Sequence, residues 1–209
     1  VWLPADERPV GDEEIEVRTR ATGLNFRDVM YLMGLLPDEV VENGFAGASL
    51  GLEFSGEVTR VGARVKGFQP GDAVMGLGGS CFASHIVTRA DAVVRMPAGW
   101  SFEAATTVPT VFLTVYYALK HLADLQPGEK VLIHGAAGGV GIAAIQLARH
   151  LGAEIYATAG SDEKRDFVRL LGADRVFDSR SLSFADDIFV ATEGEGIDVV
   201  LNSLAGEAM

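Results

Sequence analysis

The stretch Val131-Leu-Ile-His-Gly-Ala-Ala-Gly-Gly-Val-Gly141 decides the fold class, because an apolar strand runs directly into a glycine turn. Ile142-Ala-Ala-Ile-Gln-Leu-Ala-Arg149 then continues with helical patterning. The spacing Ala136-x-Gly138-x-x-Gly141 fits a dinucleotide-binding fingerprint in which Ala136 replaces the first glycine. The first position makes a tight turn, the second leaves bare backbone where a pyrophosphate approaches, and the third lets helix pack closely on strand. Gly139 and Val140 would open a helix whose N–H groups and positive dipole end face the phosphates. An ordinary strand-to-helix turn would read similarly, but a second strand, Glu154-Ile-Tyr-Ala-Thr-Ala159, follows at the distance a mononucleotide fold needs.

The end of that second strand bears on cofactor choice. Enzymes preferring the non-phosphorylated dinucleotide keep an acid there for the ribose 2'-hydroxyl, whereas this chain reads Thr158-Ala-Gly-Ser161-Asp-Glu-Lys164-Arg165. A hydroxyl followed by two cations suits a 2'-phosphate and points to NADPH, with Lys164 and Arg165 as pairing partners. The same residues also read as a well-capped surface helix with Ser161 as N-cap and Asp162 and Glu163 complementing the dipole.

The 209 residues allow one large or two small domains. A formal charge of -12 argues against nucleic acid and anionic membranes as partners. Apolar runs are too short and interrupted to span a bilayer, and no signal-peptide pattern is visible. The single cysteine, Cys81, excludes an internal disulfide and a multi-cysteine metal site, so a reducing, cytoplasmic setting is the default expectation.

Residues up to about 100 carry short strands broken by Gly and Pro, such as Glu14–Thr19, Glu53–Thr59 and Ala92–Met96. Close turns at Gly62, Gly67 and Pro70-Gly-Asp72 suggest a compact barrel. Phe102 to Leu122 reads helical apart from Pro109, and Pro127-Gly128 closes the linker. From Lys130 strands and helices alternate: a helix Asp162–Leu171, a strand Arg175–Phe177, a helix near Leu182–Ala191 and a strand Ile197–Leu201, the pattern of a parallel sheet with right-handed crossovers. The expected class is α/β, a β-rich domain over 1–109 followed by a linker helix and the first part of a Rossmann domain over 110–209. A doubly wound sheet has two halves, so the reading is of a C-terminally truncated Rossmann domain from a larger polypeptide.

Thr22-Gly-Leu-Asn-Phe-Arg-Asp28, Pro70-Gly-Asp72, His134-Gly-Ala-Ala-Gly-Gly-Val-Gly141, Asp178-Ser-Arg180 and Leu201-Asn-Ser-Leu204 together resemble the enoyl reductase domain of modular polyketide synthases and animal-type fatty acid synthases. That family lies in the medium-chain dehydrogenase/reductase superfamily. The resemblance implies a GroES-like substrate domain, a Rossmann domain carrying NADPH, and an acyl carrier protein and neighbouring synthase domains in the same polypeptide as partners. It places Asn25 near the nicotinamide, the glycine turn on the pyrophosphate, Ser161, Lys164, Ser179 and Arg180 around the 2'-phosphate, and Asn202, Ser203 and Leu204 beside the nicotinamide ribose. Each has a plainer alternative: Asn25 as cap of a helix starting at Phe26, Ser179 and Arg180 as a surface turn, Asn202 as a strand-end stabiliser.

The superfamily's zinc-ligand positions fall, by the same resemblance, on Asn25, Leu52 and Thr110. Leucine cannot ligate a metal, and the acidic Glu53 beside it is not a site by itself, so a zinc-free branch is expected. The implied reaction reduces a trans-2-enoyl thioester by hydride transfer from NADPH to the β-carbon and protonation at the α-carbon. The family's candidate proton donors, a Lys and an Asp, fall past Met209, so the catalytic residues are unknown. Leu36 stands where many relatives carry a tyrosine in a Gly-Met-Tyr-Pro stretch, and Tyr31 reads as a packing residue. His85, His121, His134 and His150 form no spaced constellation. A stand-alone quinone or enone oxidoreductase, and a scaffold without chemistry, are the alternative readings.

Overall fold

The computed structural model describes residues 8–203, and the chain divides into two compact units, Val1–Thr110 and Val111–Met209. The first is built on strands β1 (Glu14–Thr22), β2 (Glu53–Val61), β3 (Ala73–Leu77), β4 (His85–Arg89) and β5 (Val93–Arg95). All pair antiparallel, in the order β4-β1-β2-β3-β5. Alternation puts Ile15 and Val17 of β1 inside with Phe54, Val58, Val74, Ile86 and Val93, which form this unit's core.

Among the described residues the expected barrel is a curled sheet whose ladders do not close, with β4 and β5 as its two edges. They are nevertheless joined by only a 3-10 turn at Ala90–Ala92. A flat five-stranded sheet separates its edges by about 19 Å, beyond the roughly 14 Å that four extended residues reach, so the sheet has to bend round on itself. The short strands β3 and β4 escaped the sequence reading: β3 runs through Gly76, a residue that weakens a strand pattern, and a Cβ there would lie 2.5 Å from the Ala92 carbonyl oxygen. Two short helices, α1 (Phe26–Leu32) and α2 (Asp38–Asn43), fill the connection from β1 to β2.

The expected run of helix from Phe102 to Leu122 breaks into three pieces. Helix α3 (Phe102–Ala105) is capped by the Ser101 hydroxyl, α4 (Pro109–Val115) opens on Pro109, and Tyr116–Leu122 is wound as a π-helix. Proline suits a first helical turn because its missing N–H would have had no partner there.

The second unit has a parallel sheet of β6 (Lys130–Ile133), β7 (Glu154–Ala159), β8 (Arg175–Asp178) and β9 (Val199–Leu201) in the order β8-β7-β6-β9. Helices α5 (Gly139–Leu151), α6 (Asp162–Leu171) and α7 (Phe184–Ala191) connect the strands. This is the strand order of a Rossmann mononucleotide half continued by its fourth strand. Val131, Ile133, Ile155 and Ala157 pack under Ala144, Ile145 and Ala148 of α5, and the opposite face buries Leu132 and Tyr156 against Phe184 and Ile188. Strand β9 begins two residues later than expected, since Asp198 is occupied at the sheet end: its carboxylate accepts from the Lys130 N–H at 2.7 Å. Among the described residues no helix is long and apolar enough to cross a membrane.

Candidate functional site

The left-handed turn demanded after β6 falls on Gly135 (φ +63°), one residue before the position assigned from spacing. Ala136 has an ordinary backbone, is fully buried, and donates its N–H to the Thr158 carbonyl at 3.0 Å. Gly141 is glycine for packing, since a Cβ there would stand 2.4 Å from Ala136 Cα. Gly138 and Gly139 are different. Their backbones are not left-handed, and a Cβ would meet nothing nearer than the Gly135 oxygen at 3.4 Å and Val111 Cγ1 at 3.5 Å respectively. Gly138 caps α5 with no side-chain hydrogen bond, and Gly139 and Val140 in the first turn are exposed. The result is an open cradle at a helix N-terminus that a side chain would fill, which fits a dinucleotide pyrophosphate.

At the far end of β7, the Ser161 hydroxyl caps α6 by accepting from the Lys164 N–H at 3.3 Å. Glu163 is held below the usual carboxylate range by its own backbone N–H and the Ser161 hydroxyl. β7 pairs with β8 through Ala159 and Asp178, which brings Ser179 and Arg180 beside Gly160. A Cβ on Gly160 would lie 3.2 Å from Arg180 Nε and 3.4 Å from Ser179 Oγ. Ser161, Ser179 and Arg180 therefore share one corner, with Lys164 exposed one helical turn on.

Arg165 departs from the sequence expectation. Its guanidinium turns inward, donating to the Ala159 carbonyl at 3.2 Å and pairing with Asp162 at 2.5 Å and Asp178 at 3.4 Å. Ala159 and Asp178 end β7 and β8 and Asp162 opens α6, so the cation is already engaged and Arg180 takes the outward place.

The Ser203 hydroxyl donates to the His134 carbonyl at 3.1 Å and sits over Gly135, so Asn202 and Ser203 stand at the mouth of the same glycine turn. Leu204 lies outside the described residues. His134 is buried, bonded through Nδ1 to the Thr158 hydroxyl at 3.0 Å and edge-on to Phe184, and burial lowers its pKa.

In the first unit Asn25 is the N-cap of α1. Its backbone N–H donates to Asp28 at 3.2 Å and its side-chain amide donates to Glu53 at 2.9 Å. Glu53 also accepts from the Thr110 N–H at 2.8 Å, and Asp28 from the Gly51 N–H at 2.9 Å. Both carboxylates are buried and answered by N–H donors. Arg27 donates to the Gly47 and Ser49 carbonyls and lies over the Tyr31 ring. The motif Asn25-Phe-Arg-Asp28 is thus a set of anchors for the segment that precedes β2. Sequence reasoning missed this, because partners 20 or more residues away leave no local spacing signal.

The zinc-ligand positions do not suit a metal: Asn25 and the Thr110 N–H are committed to Glu53, and Leu52 offers only hydrocarbon. Cys81 is elsewhere, buried, donating to the Gly78 carbonyl, with burial and the nearby Glu53 and Asp28 charges pushing its thiol up to about 12. Leu36 is half-buried and contributes no polar atom.

Comparison with known proteins joins the two units to one lineage. Residues 11–98 match the family model of the alcohol dehydrogenase GroES-like domain and residues 139–209 that of zinc-binding dehydrogenases. The chain is 48% identical over 201 residues to the pikromycin polyketide synthase component PikAII of Streptomyces venezuelae, covering 95% of the chain and 5% of that polypeptide. Among solved structures it is similar to the CurK enoyl reductase, at 46% identity and a TM-score of 0.93, covering 99% of this chain and 64% of that one. It is also similar to the Escherichia coli quinone oxidoreductase solved in complex with NADPH, at 33% identity and a TM-score of 0.83, covering 99% of this chain and 62% of that one. The chain thus spans a small fraction of the synthase and somewhat under two thirds of the solved reductases. At this level of identity and structural similarity, the chain belongs to the enoyl reductase domains of type I polyketide synthases, within the medium-chain dehydrogenase/reductase superfamily.

Proposed function

We propose that this chain belongs to the part of a synthase that reduces a trans-2-enoyl thioester, presented on an acyl carrier protein, with NADPH and without a metal. The observation carrying this reading is the open cradle at Gly138 and Gly139, glycines whose own surroundings do not require them to be glycine, in a chain similar to polyketide synthase enoyl reductases. NADPH, when bound, supplies the hydride for the β-carbon.

The protein's share is binding and orientation. The N–H groups opening α5 meet the pyrophosphate, and the missing side chains at 138 and 139 let it come close. Ser161, Lys164, Ser179 and Arg180 receive the 2'-phosphate, and no acid stands at the end of β7 to favour a bare ribose. Asn202 and Ser203, at the mouth of the turn, lie beside the nicotinamide ribose. Negative charge collecting on the thioester oxygen calls for hydrogen-bond donors where no metal polarises it. Leu36 cannot deliver the α-proton, and Tyr31 is engaged by Arg27.

The test is turnover by the full-length protein with NADPH, comparing a crotonyl thioester with benzoquinone. Thioester reduction at the higher kcat/KM supports the proposal. Preference for the quinone would favour the stand-alone oxidoreductase reading, and NADPH binding with turnover of neither would favour a scaffold.

A further inference from the structure

The corner where β7, α6 and β8 meet holds three carboxylates, Asp162, Glu163 and Asp178, and three cations, Lys164, Arg165 and Arg180. Such a corner does not attract a dianionic phosphate by net charge; what matters is which charges are left facing outward. Arg165 is the most enclosed member, its side chain 17% exposed, against 89% for Asp162 and 47% for Asp178. Its guanidinium pairs with both of those acids and with the last carbonyl of β7, at Ala159. Asp178 also accepts from the Arg180 N–H at 2.9 Å, so Arg165 and Arg180 are tied to the same carboxylate, one by its guanidinium and the other by its backbone. Among the described residues the side chains of Lys164 and Arg180 make no hydrogen bond or ion pair.

We propose that Arg165 is a positioning residue for discrimination between NADPH and NADH, acting without touching the phosphate. It neutralises the two acids that flank the 2'-phosphate corner and fastens the strand and helix ends from which Lys164 and Arg180 reach out. The inference rests on the NADPH reading above. Two consequences separate it from direct contact and from a purely structural role. Removing the Arg165 charge uncovers Asp162 and Asp178, so the penalty falls on ligands carrying the 2'-phosphate and spares those without it. Removing the Asp178 charge as well cancels most of that penalty, since the amide oxygen introduced by Asp178→Asn still accepts from the Arg180 N–H.

The experiment titrates the full-length protein with 2',5'-ADP and with 5'-AMP, fragments that differ only in the 2'-phosphate. Arg165→Met should weaken 2',5'-ADP about threefold to tenfold and leave 5'-AMP within about twofold. Asp178→Asn should restore most of the loss in the double variant, giving a non-additive cycle. Asp178→Asn alone, a mild change that keeps its backbone bond, should strengthen 2',5'-ADP about twofold and leave 5'-AMP unchanged. Equal loss for both fragments, an additive cycle, or no gain from Asp178→Asn would each overturn the proposal. Lys164→Ala and Arg180→Ala test the reading beneath it: if neither weakens 2',5'-ADP, NADPH preference is wrong, whereas if both do and Arg165→Met does not, only the role of Arg165 is wrong.

Discussion

Gly138 and Gly141 belong to one turn but are glycine for different reasons, and the difference can be measured. A methyl group at 141 would be driven into the Ala136 backbone, with contacts of 2.4 and 2.6 Å to main-chain atoms that cannot swing aside. Gly141→Ala should destabilise the protein by about 1 to 3 kcal/mol, the usual cost of overpacking, as read by thermal or urea unfolding. A methyl at 138 meets only an oxygen at 3.4 Å, and the backbone there (φ -85°, ψ 170°) accepts any residue. Gly138→Ala should therefore fold with near-normal stability and lose NADPH affinity by about tenfold, a 1.4 kcal/mol effect. NADPH binding unchanged in a folded Gly138→Ala protein would remove the cradle from the cofactor site. Spacing alone had assigned the tight turn to Ala136. The structure moves it to Gly135, because the turn needs one left-handed residue and only the glycine takes that conformation without strain.

Among the elements, the β1–β2 ladder carries a charge pair whose contribution depends on pH. Glu16 and Arg60 are opposite one another in register, and Glu16 also accepts from the Thr59 hydroxyl at 2.6 Å. These donors, the Arg60 guanidinium foremost, lower the Glu16 pKa from 4.5 to about 2. A depressed carboxylate stabilises the fold fully above its unfolded value and loses that contribution as pH falls from 4.5 toward about 2. With Arg60 half exposed to screening solvent, the effect should be about 1 kcal/mol. Urea unfolding of the wild type and Glu16→Gln from neutral pH down through that range should show a gap at neutral pH that closes on acidification. A gap independent of pH would mean that Glu16 acts through packing and not through its charge.

For the whole molecule, the charge of -12 bears on the proposed carrier-protein partner. A typical carrier protein is also acidic, so long-range attraction does not bring the two together. On the proposed reading covalent linkage in one polypeptide would, with an effective concentration on the order of millimolar. A detached carrier protein is accordingly expected to bind weakly and with little dependence on salt, as measured by calorimetry or by inhibition of turnover. Micromolar affinity that collapses as salt is added would contradict this partner reading.

By itself the sequence determined what is local and periodic. β7 and α6 fall on the residues that alternation and caps predict, the strand-turn-helix at Val131–Gly141 is where the glycines put it, and the order of strands and helices follows from short crossovers. Only the tertiary structure decided how side chains far apart in the chain share one another. It turned Arg165 inward onto Asp178, brought Arg180 to Gly160, and tied Asn25 to Glu53. The physical reason is that a cation or an amide carries no periodic mark of its partner. Lys164 and Arg165 are adjacent and chemically alike on paper; Asp162 lies one helical turn before Arg165, and the pairing of β7 with β8 adds Asp178 to the same guanidinium.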